Sequence, residues 1–307
     1  MLNVVAILGP TASGKSAVAE AIASRFDASI LSVDSMQVYR GMDIGTAKPS
    51  PEIRQRIPHH MIDIANPSDA FSVSEFQIQG RAVLAGALTN DERIVVAGGS
   101  GLHFRAIVDP MTFPPTDPDI RTELEAMPLD ELQQMMLAID IQAPDVLDMA
   151  NPRRVVRAIE VWRITARTPS ERARSDEAAA LRSYKPLVEH ISLGLDAGDR
   201  SADRVNLRFT AMLEAGLLGE VTALAPSLGR TAAQAVGYKE LLEVVAGGST
   251  IGTASTEVIR ATNALIRRQR TFFGRDPRIG WMPWEDDEDA RIGSAMDRVR
   301  EVTGWIS

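Results

Sequence analysis

Eight residues, Gly9-Pro10-Thr11-Ala12-Ser13-Gly14-Lys15-Ser16, follow directly on an apolar run over residues 4–8, and they constrain the chain more than any other feature. They fit the pattern G-x-x-x-x-G-K-[ST], which belongs between a strand and a helix. Gly9 and Gly14 reach backbone angles closed to other residues. The loop can then curl until several N–H groups face one anion, with the positive end of the next helix behind them. Lys15 is placed to reach terminal phosphate oxygens, and the Ser16 hydroxyl to ligate Mg²⁺.

A strand–loop–helix start sets the frame for the rest of the chain. Residues 4–8, 29–33, 61–64 and 94–97 read as short buried strands, and residues 15–25 and 72–88 as helices between them. Residues 35–58 read as loop, broken by Gly41, Gly45 and Pro49. Strands alternating with helices predict a parallel sheet with right-handed crossovers. Pro110, Pro114, Pro115 and Pro118 then mark a boundary, and only helical periods come after it, at 120–127, 129–139 and 153–165. A strand returns at 188–195, followed by helices at 202–215, 218–224, 235–245 and 253–273. The fold class is therefore α/β, a P-loop NTPase-like parallel sheet flanked by helices, with an all-helical insertion. Residues 1–113 and 187–307 form the core and residues 114–186 the insertion.

The 307 residues are 45% hydrophobic, enough for such a core, and contain no run of 18 apolar residues and no cleavable secretory pattern. The chain reads as a soluble, cytoplasmic monomer with no membrane partner. With no cysteine, disulfides, thiolate zinc sites and a cysteine nucleophile are excluded. A net charge of −8 argues against nonspecific binding to nucleic acid. Basic charge is nonetheless concentrated, with seven arginines over residues 153–174 and six over 260–278, while 285–289 is almost wholly acidic. Such faces grip a polyanion or are merely solvated.

In open parallel sheets, ligands bind beyond the C-terminal strand ends. The phosphate loop, Asp34 and the turn over residues 98–101 all follow strands, so they should meet there. Asp34 is then a carboxylate near a phosphate ester, suited to hold Mg²⁺ through water or to accept a proton from a nucleophile. Hydrolytic phosphate loops work with a second strand ending in Asp. Here Ile94-Val95-Val96-Ala97 ends in glycines, and Asp63 is a weak substitute. The cradle suits a diphosphate that departs better than a γ-phosphate that is transferred. His59 and His60 read as structural, Trp281 and Trp284 as packing or surface aromatics, and Met135-Met136 as core filling.

The string from Asp34 to Pro49, DSMQVYRGMDIGTAKP, resembles the signature of the bacterial tRNA dimethylallyltransferases. Further pieces appear in order: Pro58-His59-His60-Met61-Ile62-Asp63, Gly98-Gly99-Ser100-Gly101-Leu102, Asn151-Pro152-Arg153-Arg154 and Gly237-Tyr238-Lys239-Glu240. The resemblance implies transfer of the dimethylallyl group of dimethylallyl diphosphate, assisted by Mg²⁺. The acceptor it implies is N6 of the adenine 3′ to the anticodon, position 37, in tRNAs reading codons that begin with U. It gives the phosphate loop to the prenyl donor's diphosphate and makes Lys15, Asp34, Ser100 and Arg208 catalytic. Arg208 would hold the diphosphate, Asp34 would take an N6 proton, and Ser100, where the family has threonine, would contact the target base.

The resemblance also implies that the insertion binds the anticodon stem-loop. The tRNA contacts it assigns are Asp34, Ser35, Met36, Gln37, Ser100, Arg121, Arg153, Arg154, Arg157, Gln234, Gly237, Tyr238 and Lys239. The chain departs from the family pattern at Ala150-Asn151-Pro152, before the paired arginines. Prenylation of free AMP or ADP, and phosphoryl transfer from ATP by a small-molecule kinase, are the rival activities.

Overall fold

Val4–Leu8 (β1) is buried at all five positions, as a strand covered on both faces must be. The computed structural model describes residues 2–306; Met1 and Ser307, the outermost residues of the expected core, lie outside them. β1 is central in a parallel sheet with Ser29–Ser32 (β2), His59–His60 (β3), Ile94–Gly98 (β4), Ile191–Gly194 (β5) and Ile279–Trp281 (β6), in the order β3-β2-β4-β1-β5-β6. The pleat sends Val4, Ala6 and Leu8 into one apolar layer and Val5 and Ile7 into the other.

Four helices belong to the first part of the chain: Lys15–Phe26 (α1), Pro51–Arg56 (α2), Val73–Thr89 (α3) and Gly101–Val108 (α4). Two expectations are corrected. Residues 35–58 contain α2, started by Pro51 and capped by Ser50, whose hydroxyl accepts from Ile53 N. The third strand is residues 59–60, not 61–64, because Met61 (φ 64°) and Asp63 (φ 56°) turn left-handed.

Residues 109–187 form a separate compact unit, against the expected 114–186. Its helices are Pro118–Glu125 (α5), Leu129–Ile139 (α6), Ala143–Val146 (α7), Pro152–Thr165 (α8), Pro169–Ala173 (α9) and Asp176–Arg182 (α10). Leu124, Leu132, Met136, Val155 and Ile159 make its own core, with Met135 against it. Asn151 caps α8, accepting from Arg154 N at 3.3 Å, and Pro152 takes the first turn.

The remaining helices, Ser201–Glu214 (α11), Leu217–Leu224 (α12), Tyr238–Val245 (α13), Ile251–Phe273 (α14) and Glu288–Thr303 (α15), complete the first unit. β6 and α15 have no counterpart in the sequence reading. Three residues are too few to show a strand period, and the acidic run over 285–289 is largely the start of α15. Asp287 caps that helix, with Glu288 and Asp289 in its first turn. No helix among the described residues is long and apolar enough to cross a membrane.

Candidate active site

The phosphate loop leaves β1 through Gly9 at φ 153°, where a Cβ would stand 2.0 Å from the Leu195 carbonyl oxygen, so only glycine fits. It enters α1 through Gly14 at φ 79°, which offers no capping side chain. The leading N–H groups of α1 are thus left for a ligand. Two loop amides are not: Ser13 N donates to the Pro10 carbonyl at 3.3 Å, and Thr11 N donates to Gln269 Oε1 at 2.9 Å. The same side chain donates from Nε2 to the Gly99 carbonyl at 2.9 Å, so α14 ties two strand-end loops together. Gln269 stands 258 positions after Thr11, so no local sequence signal points to it.

Lys15 folds back over the loop, donating to the Pro10 carbonyl at 3.2 Å. Burial lowers its ammonium to about 8; the Arg208 cation pushes the same way and the Asp34 carboxylate opposes them. Arg208, on α11, is itself lowered by burial and raised by Asp34. No carboxylate lies within ion-pairing distance of either cation among the described residues. Two desolvated cations beside one carboxylate make a site short of negative charge.

Asp34 forms the turn after β2, its Oδ1 accepting from Met36 N at 2.8 Å and Gln37 N at 3.4 Å. It is both a turn residue and a wall of the cavity. Ser100 N donates to the Val33 carbonyl at 3.1 Å, which sets Ser100 beside Asp34. The Ser100 hydroxyl pairs with His103 Nδ1 at 2.6 Å. Burial lowers His103 to about 4, against the raising effect of Asp34, so it is neutral at pH 7.

A cavity of about 470 Å³ joins these groups, lined by Thr11, Asp34, Ser35, Met36, Ser100, Arg208, Gln234, Gly237 and Gln269 among others. A narrower arm shares Thr11, Asp34 and Arg208 with it and adds Lys15, Ser16 and Gln37. Gln37 braces this arm, donating to the carbonyls of Thr46 (3.1 Å) and Ala47 (3.3 Å). Arg268, Thr262 and Phe272 of α14 also line the cavity; in sequence Arg268 looks like its neighbouring arginines, and no motif marks Thr262 or Phe272. In fact Arg260 pairs with Glu257, Arg270 with Asp196 and Arg278 with Asp276.

Where a hydrolytic site would carry an acid, Gly98 is required: its Cβ would lie 2.4 Å from the Val33 carbonyl oxygen. Asp63 is engaged elsewhere, 2.6 Å from Lys48 Nζ and 2.5 Å from Arg54 Nη1. Burial acts to raise its carboxyl, but these cations hold it below the usual range. His59 Nδ1 pairs with the Ile57 carbonyl at 2.7 Å. Among the described residues no cluster of three or more His, Asp or Glu side chains could hold a metal.

Tyr238 is wholly buried, and its hydroxyl donates to Glu220 Oε1 at 2.5 Å. Glu220 also accepts the amides of Asp43 (2.9 Å), Ile44 (2.8 Å) and Gly45 (3.1 Å). The pair shapes the loop that lines the cavity, so the ring of Tyr238 supports the site and is not open to a ligand. Lys239 is exposed. In the helical unit Arg153 and Arg154 are exposed, with Arg154 3.7 Å from Asp148. Arg121 and Arg157 instead close on the buried Glu160, at 2.8 and 2.7 Å.

Two family models match: IPP transferase over residues 37–276 and isopentenyl transferase over 2–66. The chain is 40% identical over 290 residues to the tRNA dimethylallyltransferase of Bifidobacterium longum (strain NCC 2705), covering 91% of this chain and 86% of that protein. It is 41% identical over 288 residues to that of Streptomyces avermitilis, covering 91% and 90%. The crystal structure of the full-length tRNA isopentenylpyrophosphate transferase from Bacillus halodurans superposes with a TM-score of 0.70 at 32% identity, over 98% of this chain and 96% of that one. A eukaryotic dimethylallyltransferase acting on tRNA shares the fold, with a TM-score of 0.79 at 19% identity over 99% and 79%.

Proposed function

Because the chain belongs to the IPP transferase family, we propose that it transfers the dimethylallyl group of dimethylallyl diphosphate to N6 of adenine 37 in tRNA. One observation carries this reading: Asp34 lines both the wide cavity and the arm that holds Lys15, Ser16 and Arg208. A single carboxylate thus borders a place for a diphosphate and a place for a flipped-out base.

In the proposed reaction the allylic C–O bond breaks, the N6–C bond forms, an N6 proton passes to the Asp34 carboxylate, and diphosphate leaves. The N6 lone pair is delocalised into the ring, so removing its proton keeps density on the attacking nitrogen. Lys15, Arg208 and the first amides of α1 meet the charge that develops on the leaving group. Ser100, oriented by neutral His103, offers its oxygen to the base edge. The Ser16 hydroxyl is exposed at the arm that Asp34 also lines, a sparse oxygen donor set that fits Mg²⁺, which keeps several waters. Bound there, the ion would neutralise charge on the departing diphosphate. Arg153 and Arg154 would position the anticodon arm through its phosphates. All these groups lie on one chain, which supports a monomer, and work on tRNA would be cytoplasmic.

The test is labelled dimethylallyl transfer to unmodified tRNA bearing adenine at position 37, run beside AMP and beside ATP hydrolysis. Transfer to tRNA alone is the expected result. Efficient transfer to AMP with none to tRNA would establish the mononucleotide enzyme instead, and phosphoryl transfer from ATP a kinase.

A further inference from the structure

The buried stripe of α15 runs through Arg291, Ala295 and Val299, so a guanidinium sits where a helix of this kind packs an apolar side chain. Arg291 is 3% exposed. Its Nη1 donates to the carbonyls of Glu285 and Asp286, and among the described residues its Nη2 reaches only the largely exposed Glu288, at 3.5 Å. Its Nε is buried with no hydrogen-bond partner among the described residues. A buried cation with so little compensation calls for an anion.

The phosphate loop lies beside it. Arg291 Nε and Nη2 stand 3.7 and 3.8 Å from where a Cβ on Gly14 would be, and Arg204 Nη2 stands 3.6 Å from the same point. Arg204 Nε donates to the Ala12 carbonyl at 2.6 Å, and both guanidiniums lie over the ring of Trp284, at 5.3 Å for Arg204 and 4.4 Å for Arg291. The indole attracts two cations that would otherwise repel. Trp284 is thus more than a packing aromatic.

We infer that Arg291 is a positioning residue for the diphosphate: a buried cation held at Gly14, at the N-terminal end of α1, that raises the loop's affinity for the anion. It lies beyond residues 2–276, which the family models match. The inference rests on the proposed reading of the phosphate loop.

Calorimetric titration of the full chain with inorganic diphosphate tests it. Arg291→Met should bind diphosphate about tenfold more weakly, and Arg291→Lys should recover much of the loss, as charge at a helix N-terminus requires. The KM for dimethylallyl diphosphate should rise in step, with kcat and the KM for tRNA unchanged. Equal affinity in wild type and Arg291→Met would overturn the inference and leave Arg291 a strut for the carbonyls of residues 285–286. A wild-type chain that binds no diphosphate would bring down the reading of the loop itself, a distinguishable failure. Should the methionine variant not fold, the ¹⁵Nε–H resonance of Arg291 in the wild type, assigned with the lysine variant, decides. It must shift on saturation with diphosphate, and a signal that stays put refutes the assignment.

Discussion

Arg208 in the cavity and Arg157 in the helical unit are the same side chain put to opposite uses. Arg157 and Arg121 converge on Glu160, which is fully buried and also accepts the Asp117 amide at 2.9 Å. Burial acts to raise the Glu160 carboxyl, but those hydrogen bonds and charges hold it below the usual range. Both arginines there have a carboxylate in direct contact. Arg208 and Lys15 are desolvated without a paired carboxylate, and burial pushes the proton affinity of each down. The difference teaches that an arginine marks a binding site when its counter-ion is missing, not when arginines are dense in sequence.

The largest effect falls on Asp34. Asp34→Ala should cut single-turnover prenyl transfer by about 10²–10⁴-fold, the usual weight of a general base. Filter-binding affinity for tRNA should change little, and normal turnover would refute its role. Arg208→Ala should lose about 10²–10³-fold in transfer, as for a lost donor to a developing charge. Its thermal midpoint should hold. Arg157→Ala should behave in the opposite way, costing about 1–3 kcal/mol in denaturant unfolding by stripping a buried carboxylate of one partner. If Arg157→Ala impaired transfer without destabilising the chain, the contrast between the two arginines would collapse.

Lys15 sharpens the comparison through pH. Lowered from 10.5 to about 8, it takes its proton less readily in the folded chain than in the unfolded one. It therefore costs stability below about pH 8, and that cost is relieved as the pH rises toward 10.5. Diphosphate binding has the opposite sign, because the anion needs the ammonium charged. The affinity advantage of wild type over Lys15→Met for inorganic diphosphate should shrink above pH 8, approaching about tenfold per pH unit. Titrations in buffers of different ionisation heat should show proton uptake near that pH. A constant ratio between pH 7 and 10 would remove Lys15 from the anion's partners.

The parts legible in sequence are those whose cause is local. Residues 4–8 and 94–97 are apolar because both faces of a central parallel strand are covered, and α6 has the 129–139 limits that its period gives. The phosphate loop declares itself because two glycines and a lysine must stand at fixed spacing. What failed was decided at a distance. β3 and β6 are strands only because β2 and β5 pair with them. α15 carries Arg291 in its buried stripe, which hides the helical period. Gln269 and Glu220 act on loops 170 or more positions away, and no count of arginines distinguishes Arg157, tied to Glu160, from an exposed neighbour.

That exposed neighbour is the finest test of the contrast. Arg154 is 63% exposed and 3.7 Å from Asp148, itself 49% exposed, so its ion pair contributes little to stability. Arg154→Ala should leave unfolding within about 0.5 kcal/mol of wild type. If Arg154 meets a tRNA phosphate, the variant should bind tRNA a few-fold more weakly, and the slope of log affinity against log salt should fall by about one. Diphosphate affinity should not move. A lost tRNA contact with an unchanged salt slope would mean that Arg154 reads a base or shapes the helix, and the electrostatic role would pass to Arg153 alone.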